Sequence, residues 1–263
     1  MRLHTQEWGT GGRVAVLVHG IMSDHRTWYE LVPVLTGRGY RVLAVDLRGH
    51  GASPRGRYGP RLFAEDLVET LPPAPEVALG HSLGALALAL AVPELAPARA
   101  VYSEPAWQLA GADGSLDPAL FTLFKRSSRA LAALSRPPRN GTGDPNGDRN
   151  GDPNGNGRGD GDGGSGSDTG RLDARAVAEQ EALERWDENT ALALSSHRHV
   201  DHTPEKAVVP SLVQASDPSM LVSAGMRAEL TRRGFEVRTV PGAPHAIHRD
   251  RFGAFVESLS GWL

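Results

Sequence analysis

Short apolar runs alternate along this chain with longer segments whose apolar residues recur every three or four positions. The first pattern is typical of buried strands, and the second is typical of helices that pack one face against a sheet. We predict strands at 14–19, 41–46, 76–80, 99–103, 211–215 and 236–240, helices at 27–36, 62–71, 83–92, 219–232 and 251–263, and an additional edge strand at 2–8. This alternation predicts an α/β fold in which a mostly parallel sheet is flanked by helices.

A long insertion interrupts this alternation between the strands that we predict fourth and fifth. Connections in compact domains usually need only a few residues, whereas this one carries two helical patterns of its own, at 118–134 and 172–194. We therefore expect 1–104 and 208–263 to form the core of the domain. The intervening segment, 105–207, is expected to form a helical cap inserted in the second half of the chain.

Within the insertion, the tract 140–170 is rich in Gly, Asp and Asn and has no aromatic or large aliphatic side chain. Such a segment cannot bury enough apolar surface to offset its ordering entropy, so we expect it to be disordered. Residues from Asp152 onward match the first half of an EF-hand calcium loop. The twelfth position is Gly163, however, where that loop requires a bidentate Glu, so a solvated linker is the preferred interpretation.

Composition narrows the classes of function. The net charge of −3 provides no basic surface for nucleic acid, and no apolar run approaches the roughly 18 residues of a membrane-spanning helix. The chain has no cysteine, which excludes disulfides, thiolate nucleophiles and cysteine-ligated metals, and its start does not resemble a secretory signal. We expect a cytoplasmic protein that binds neither nucleic acid nor a membrane.

The segment GHSLG at 80–84 carries the strongest indication of chemistry. It follows a predicted strand and begins a predicted helix, and its small outer residues permit a sharp turn that exposes the hydroxyl of Ser82. The helix N-terminus would face the negative charge that develops on an attacked carbonyl. The alternative is that Ser82 only caps the helix.

At these residues the sequence resembles the α/β-hydrolase superfamily of serine hydrolases. The segment VAVLVHG at 14–20 is similar to the family's strand that ends in an HG pair, and DLRGHGAS at 46–53 is similar to its D-x-R-G-x-G-x-S turn. PGAPH, which ends at His245, resembles the loop that presents the catalytic histidine. These matches lie in both halves of the predicted core, and none lies in the insertion.

The resemblance implies a catalytic triad in which Ser82 is the nucleophile and His245 is the base, with His248 as a fallback. Asp217 is the first choice for the orienting acid, because it follows the penultimate strand as in most of the family. Glu104 is the alternative acid, because some members carry it after the earlier strand at 99–103. The resemblance also implies an oxyanion hole formed by the backbone amides of Ile21 and Leu83.

These assignments predict a serine hydrolase that cleaves an ester or similar acyl bond of a small molecule through an acyl-enzyme, without a cofactor or metal. The same triad could serve C–C bond hydrolysis, a lyase or a perhydrolase reaction, and a non-catalytic binding protein of the same fold is a further alternative. The string HRHVDH at 197–202 also matches the metal-binding motif of metallo-β-lactamase-like enzymes. It follows a predicted helix and not a strand, which favours a histidine-rich helix end over a metal site.

Overall fold

A computed structural model describes residues 1–134 and 166–263, with side chains described at 1–128 and 174–263. Its strands are β1 (Thr5–Trp8), β2 (Arg13–Val18), β3 (Tyr40–Val45), β4 (Val77–His81), β5 (Arg99–Ser103), β6 (Ser211–Asp217) and β7 (Glu236–Pro241). They form one sheet in the order β1-β3-β2-β4-β5-β6-β7. β1 is antiparallel to β3 and all other neighbours are parallel, which confirms the predicted mostly parallel sheet.

The helices are α1 (Leu31–Gly37), α2 (Pro60–Thr70), α3 (Leu83–Leu95), α4 (Leu120–Leu134), α5 (Gly166–Arg185), α6 (Asn189–Ser195), α7 (Ala224–Arg232), α8 (Ile247–Asp250) and α9 (Phe252–Glu257). A 3₁₀ helix at His25–Trp28 precedes α1. None of the helices in the described parts of the chain is both long and apolar enough to cross a membrane.

The single helix predicted at 172–194 is two helices, α5 and α6, with a break between them. At the break, Asp187 Oδ1 accepts the backbone N–H of Asn189 at 3.0 Å and Asp187 Oδ2 accepts the hydroxyl of Tyr58 at 2.7 Å. An Asp that bonds locally to the backbone competes with helix continuation and starts a new helix. The predicted disorder at 140–165 lies outside the described residues, and 166–170 belong to α5.

Both faces of the sheet are covered, as the apolar strands predict. Along β2, Val16 and Val18 lie in the apolar cluster on the side of α2 and α3, whereas Ala15 and Leu17 lie in the cluster on the side of α1 and α9. Alternate residues of a strand point to opposite faces, so the run from Val14 to Val18, which is apolar at every position, needs cover on both. The residues proposed for catalysis lie where strands end.

The strand order locates the place along the sheet edge where a ligand can bind. β2 is followed in sequence by β3 on one side, while β4 is followed by β5 on the other, so the order reverses between β2 and β4. In open α/β sheets a crevice forms at the carboxyl ends of the strands that flank such a reversal. Ile21 follows β2 and Ser82 follows β4, which places both residues at this crevice.

Candidate active site

Ser82 occupies the sharp turn between β4 and α3. Its φ of 52° and ψ of −115° lie in a region that non-glycine residues rarely adopt. The neighbouring strand helps to hold this conformation, because the Ser82 N–H donates to the carbonyl of Ser103 at 3.0 Å and the Ser82 carbonyl accepts the N–H of Ala106 at 3.2 Å. Such strained backbone is concentrated at functional sites.

The two glycines that flank Ser82 permit close packing of α3 against the strands. A Cβ at Gly84 would lie 2.4 Å from the backbone oxygens of Val18 and His19, and a Cβ at Gly80 would lie 2.6 Å from the oxygen of Gly84. No side chain fits at either position without moving backbone. The G-x-S-x-G spacing therefore follows from the close packing of this turn against β2 and the start of α3.

His245 lies in the loop between β7 and α8, and its ring faces the carboxylate of Glu104. The distance from His245 Nδ1 to Glu104 Oε2 is 3.3 Å. Glu104 is fully buried at the end of β5, where its φ of 46° turns the side chain back over the sheet edge. Its Oε1 accepts the backbone N–H of Ser216 at 2.7 Å and the hydroxyl of Ser219 at 2.9 Å.

Asp217, the first choice for the orienting acid, is not placed against His245 in this way. It is the last residue of β6, and its side chain is exposed beside an open groove that His245 also lines. The preceding residue, Ser216, is buried, and its backbone N–H donates to Glu104 Oε1. Of these two carboxylates, Glu104 is the one that lies within hydrogen-bonding distance of the histidine ring in the described part of the chain.

Four of the predicted site residues line one cavity of about 60 Å³. They are Ser82, His245, Ile21 and Leu83. The other lining side chains are apolar and come from the core and the inserted region: Ala106, Leu109, Leu116, Pro118, Phe121, Leu194, Met220 and Leu221. The amide of Leu83 lies at the first turn of α3, where backbone N–H groups have no partner within the helix.

Two further histidines lie behind His245. His81 Nε2 donates to the backbone carbonyl of His245 at 3.1 Å, and the ring of His81 lies 4.7 Å from that of His248. Burial and the neighbouring cationic groups hold the pKa values of His81 and His248 well below the ordinary histidine range. His248 bonds Thr27 through Nε2 at 2.8 Å and lines a separate cavity of about 220 Å³ beneath α5, so it does not share the Ser82 cavity.

The histidine-rich string at 197–202 has structural partners. Asp201 accepts the amide of Gln108 at 3.2 Å and the backbone N–H of Thr203 at 2.8 Å, and Asp201 forms an isolated β-bridge with Gln108. Within 1–134 and 166–263, one group of three metal-ligating side chains comes together, and it lies elsewhere. Sequence reasoning did not single out that group, because its members are distant in sequence.

Comparisons with known proteins identify the family. The family described as "Alpha/beta hydrolase family" matches this chain over residues 15–258. The chain belongs to the alpha/beta hydrolase family. This confirms the resemblance on which the site assignments depend, and it extends the match across the inserted region.

Among curated members of similar sequence, polyneuridine aldehyde esterase of Rauvolfia serpentina is 40% identical over 84 residues, which cover 29% of this chain and 32% of that protein. Epoxide hydrolase B of Mycobacterium tuberculosis is 39% identical over 57 residues, covering 22% of this chain and 16% of that protein. The matched segments thus span a third or less of these alpha/beta hydrolases. The crystal structure of bromoperoxidase from Bacillus anthracis gives a TM-score of 0.68 at 21% identity, covers 98% of this chain and 94% of that one, and shares the fold.

Proposed function

We propose that this alpha/beta hydrolase is a serine hydrolase that cleaves an ester or similar acyl bond of a small molecule. Ser82 Oγ attacks the carbonyl carbon while His245 Nε2 takes its proton, and Glu104 holds the opposite ring nitrogen as the N–H tautomer. The amides of Ile21 and Leu83 bind the oxyanion. His245 then protonates the leaving group, and a water activated by the same ring hydrolyses the acyl-enzyme.

The observation that carries this proposal is the pairing of His245 with buried Glu104, while the same histidine lines one cavity with Ser82. A nucleophilic serine requires a base, and the base requires an acid that fixes its tautomer. The capping alternative for Ser82 has little support, because its side chain makes no capping bond to α3 although both lie in the described part of the chain.

Two features favour an acyl substrate of limited size. Epoxide hydrolases require a carboxylate nucleophile at the elbow, where this chain has Ser82, so the similarity to epoxide hydrolase B does not extend to that chemistry. The cavity beside Ser82 holds only about 60 Å³ and its lining, apart from Ser82 and His245, is apolar. A small cavity with an apolar lining suits a short, uncharged acyl group.

The test is turnover of p-nitrophenyl acetate by Ser82→Ala, with Ser260→Ala, at an exposed serine near the C-terminus, as the matched control. We expect Ser82→Ala to lower kcat by about 10³-fold or more and to leave the Tm nearly unchanged, since removal of a triad member leaves only binding and oxyanion stabilisation. The wild type and Ser260→Ala should react with a fluorophosphonate probe, and Ser82→Ala should not. A Ser82→Ala variant that retains more than about a tenth of the wild-type rate would refute the proposal.

A further inference from the structure

A cluster of His4, His25 and Asp46 lies outside the proposed active site. One potential ligand atom from each side chain lies within 4.8 Å of the others. The three residues come from separate parts of the chain: His4 precedes β1, His25 begins the 3₁₀ helix, and Asp46 follows β3. The backbone N–H of Asp46 also donates to the His4 carbonyl at 3.0 Å, so the fold itself holds these segments together.

The carboxylate of Asp46 is fully buried and is held by two backbone amides. Its Oδ1 accepts the N–H of His25 at 2.8 Å, and its Oδ2 accepts the N–H of Ala52 at 2.9 Å. The same two oxygens each face one imidazole nitrogen. His25 Nδ1 lies 2.8 Å from Oδ1, and His4 Nδ1 lies 3.0 Å from Oδ2. The amides thus fix the carboxylate independently of the two rings.

The two nitrogen-to-oxygen spacings approach those of zinc ligands, and the ligand atoms of the cluster all lie within 4.8 Å of one another. Zinc binds imidazole nitrogen and carboxylate oxygen at about 2.0–2.2 Å in a tetrahedron, which separates neighbouring ligand atoms by about 3.3–3.5 Å. The nitrogen-to-oxygen distances here are a few tenths of an ångström shorter, so small rotations of the two rings would admit an ion. The amide bonds to Asp46 would remain as the outer hydrogen bonds that orient a metal-binding carboxylate.

The charge and accessibility of the cluster also suit a cation. The carboxylate of Asp46 accepts hydrogen bonds from two backbone N–H groups, and such bonds favour the anionic form that binds a cation. The His4 side chain is 36% exposed, whereas that of His25 is 12% exposed. An ion could therefore enter on the His4 side and keep a solvent molecule as its fourth ligand.

We propose that His4, His25 and Asp46 form a binding site for a divalent transition metal of the zinc type. Both histidines bind through Nδ1, and the proton of each ring moves from Nδ1 to Nε2 as the ion takes its place, so both rings stay neutral. It links the N-terminal segment to the turn after β3 and to the 3₁₀ helix. None of its ligands belongs to the proposed catalytic machinery, so the site stabilises the fold without taking part in turnover.

The test is calorimetric titration of the full chain with ZnCl₂ after EDTA treatment and removal of the chelator. We expect one equivalent to bind with a Kd of about 1–10 µM, as suits three protein ligands in place of the four of a structural zinc site. His4→Gln removes an imidazole ligand but keeps a donor that can reach Asp46, and it should weaken binding at least tenfold. His199→Gln, from the histidine-rich string, is the matched control and should bind as the wild type does.

A second measurement on the wild type needs no variant. In ¹⁵N NMR spectra, zinc should shift the Nδ1 resonances of both His4 and His25, and the protein should still hydrolyse p-nitrophenyl acetate after EDTA treatment.

Three results of the titrations would overturn the proposal: no binding at about 100 µM Zn²⁺, equal affinity in wild type and His4→Gln, or loss of binding in His199→Gln. Nδ1 resonances that do not move on saturation would overturn it as well.

Discussion

Substitution of Glu104 by Gln tests which carboxylate orients His245. Gln has the same shape as Glu, and its carbonyl oxygen can still accept the backbone N–H of Ser216. Its NH₂ group then faces His245 Nδ1, which must lose its proton in order to accept a hydrogen bond. The ring proton moves to Nε2, the atom that takes the proton of Ser82 in the proposed mechanism, so the histidine is held in the wrong tautomer for that step.

The size of the effect follows from this change of tautomer. In serine proteases the corresponding acid-to-amide change lowers kcat by about 10⁴-fold, and we expect a loss of about 10³–10⁴-fold for Glu104→Gln. At about 1.36 kcal/mol for each factor of ten, this is about 4–5.4 kcal/mol of lost transition-state stabilisation. Asp217→Asn is the matched control, because its exposed side chain does not contact the ring, and it should change kcat less than about threefold.

The assay compares the initial rates of p-nitrophenyl acetate hydrolysis, normalised to folded protein. Urea unfolding of each variant checks that Glu104→Gln retains its fold, since the exchange of one buried hydrogen bond costs about 1–3 kcal/mol. If Asp217→Asn loses more activity than Glu104→Gln, the orienting acid is on β6 and the reasoning from the structure fails. Retention of more than about a tenth of the rate in Glu104→Gln would refute it too.

Three other predictions concern packing, pH and substrate size. Gly84→Ala should lower the free energy of unfolding by about 3 kcal/mol or more, because its Cβ would meet backbone oxygens. Gly253→Ala, which adds a Cβ in open space within α9, should raise the free energy of unfolding by about 0.5–1 kcal/mol. Urea unfolding measures both changes. Burial lowers the pKa of His50 to about 3, so the unfolded state binds its proton first and the unfolding free energy should fall as the pH decreases from about 6.5 toward 3. His50→Gln should reduce the dependence of the unfolding free energy on pH, whereas His199→Gln, at an exposed position, should leave it as in the wild type. An equal pH dependence in the two variants would show that His50 is not its cause. Phe121→Ala should enlarge the cavity and raise kcat/KM for p-nitrophenyl hexanoate relative to acetate, and an unchanged ratio would show that this cavity does not receive the acyl chain.

Much of the core could be predicted from the sequence because its signals are local. Each predicted strand is found within two residues at either end, except the edge strand, which begins at Thr5 and not at residue 2. The turn at Ser82 was predictable because its neighbours must be small for α3 to approach β2. Helix ends were less predictable, because a local bond such as that of Asp187 can break a helix whose apolar pattern continues.

The proposal of Glu104 over Asp217 as the orienting acid depends on the tertiary structure. Both carboxylates lie at the ends of neighbouring parallel strands at the same edge of the sheet, and the resemblance to the family favoured Asp217. The donors on Ser216 and Ser219 hold the Glu104 carboxylate beside His245, whereas the side chain of Asp217 is exposed at the end of β6.

The sequence by itself determined the strands, the sharp turn at Ser82 and the loop of His245, because each depends on residues within a few positions of one another. The tertiary structure decided the partner of His245, the volume of the cavity and the meeting of His4 with Asp46. Those features depend on side chains that approach across the fold from distant parts of the chain. A local pattern specifies the conformation of a segment, but contacts between segments depend on packing distances and side-chain directions that exist only once the sheet has formed.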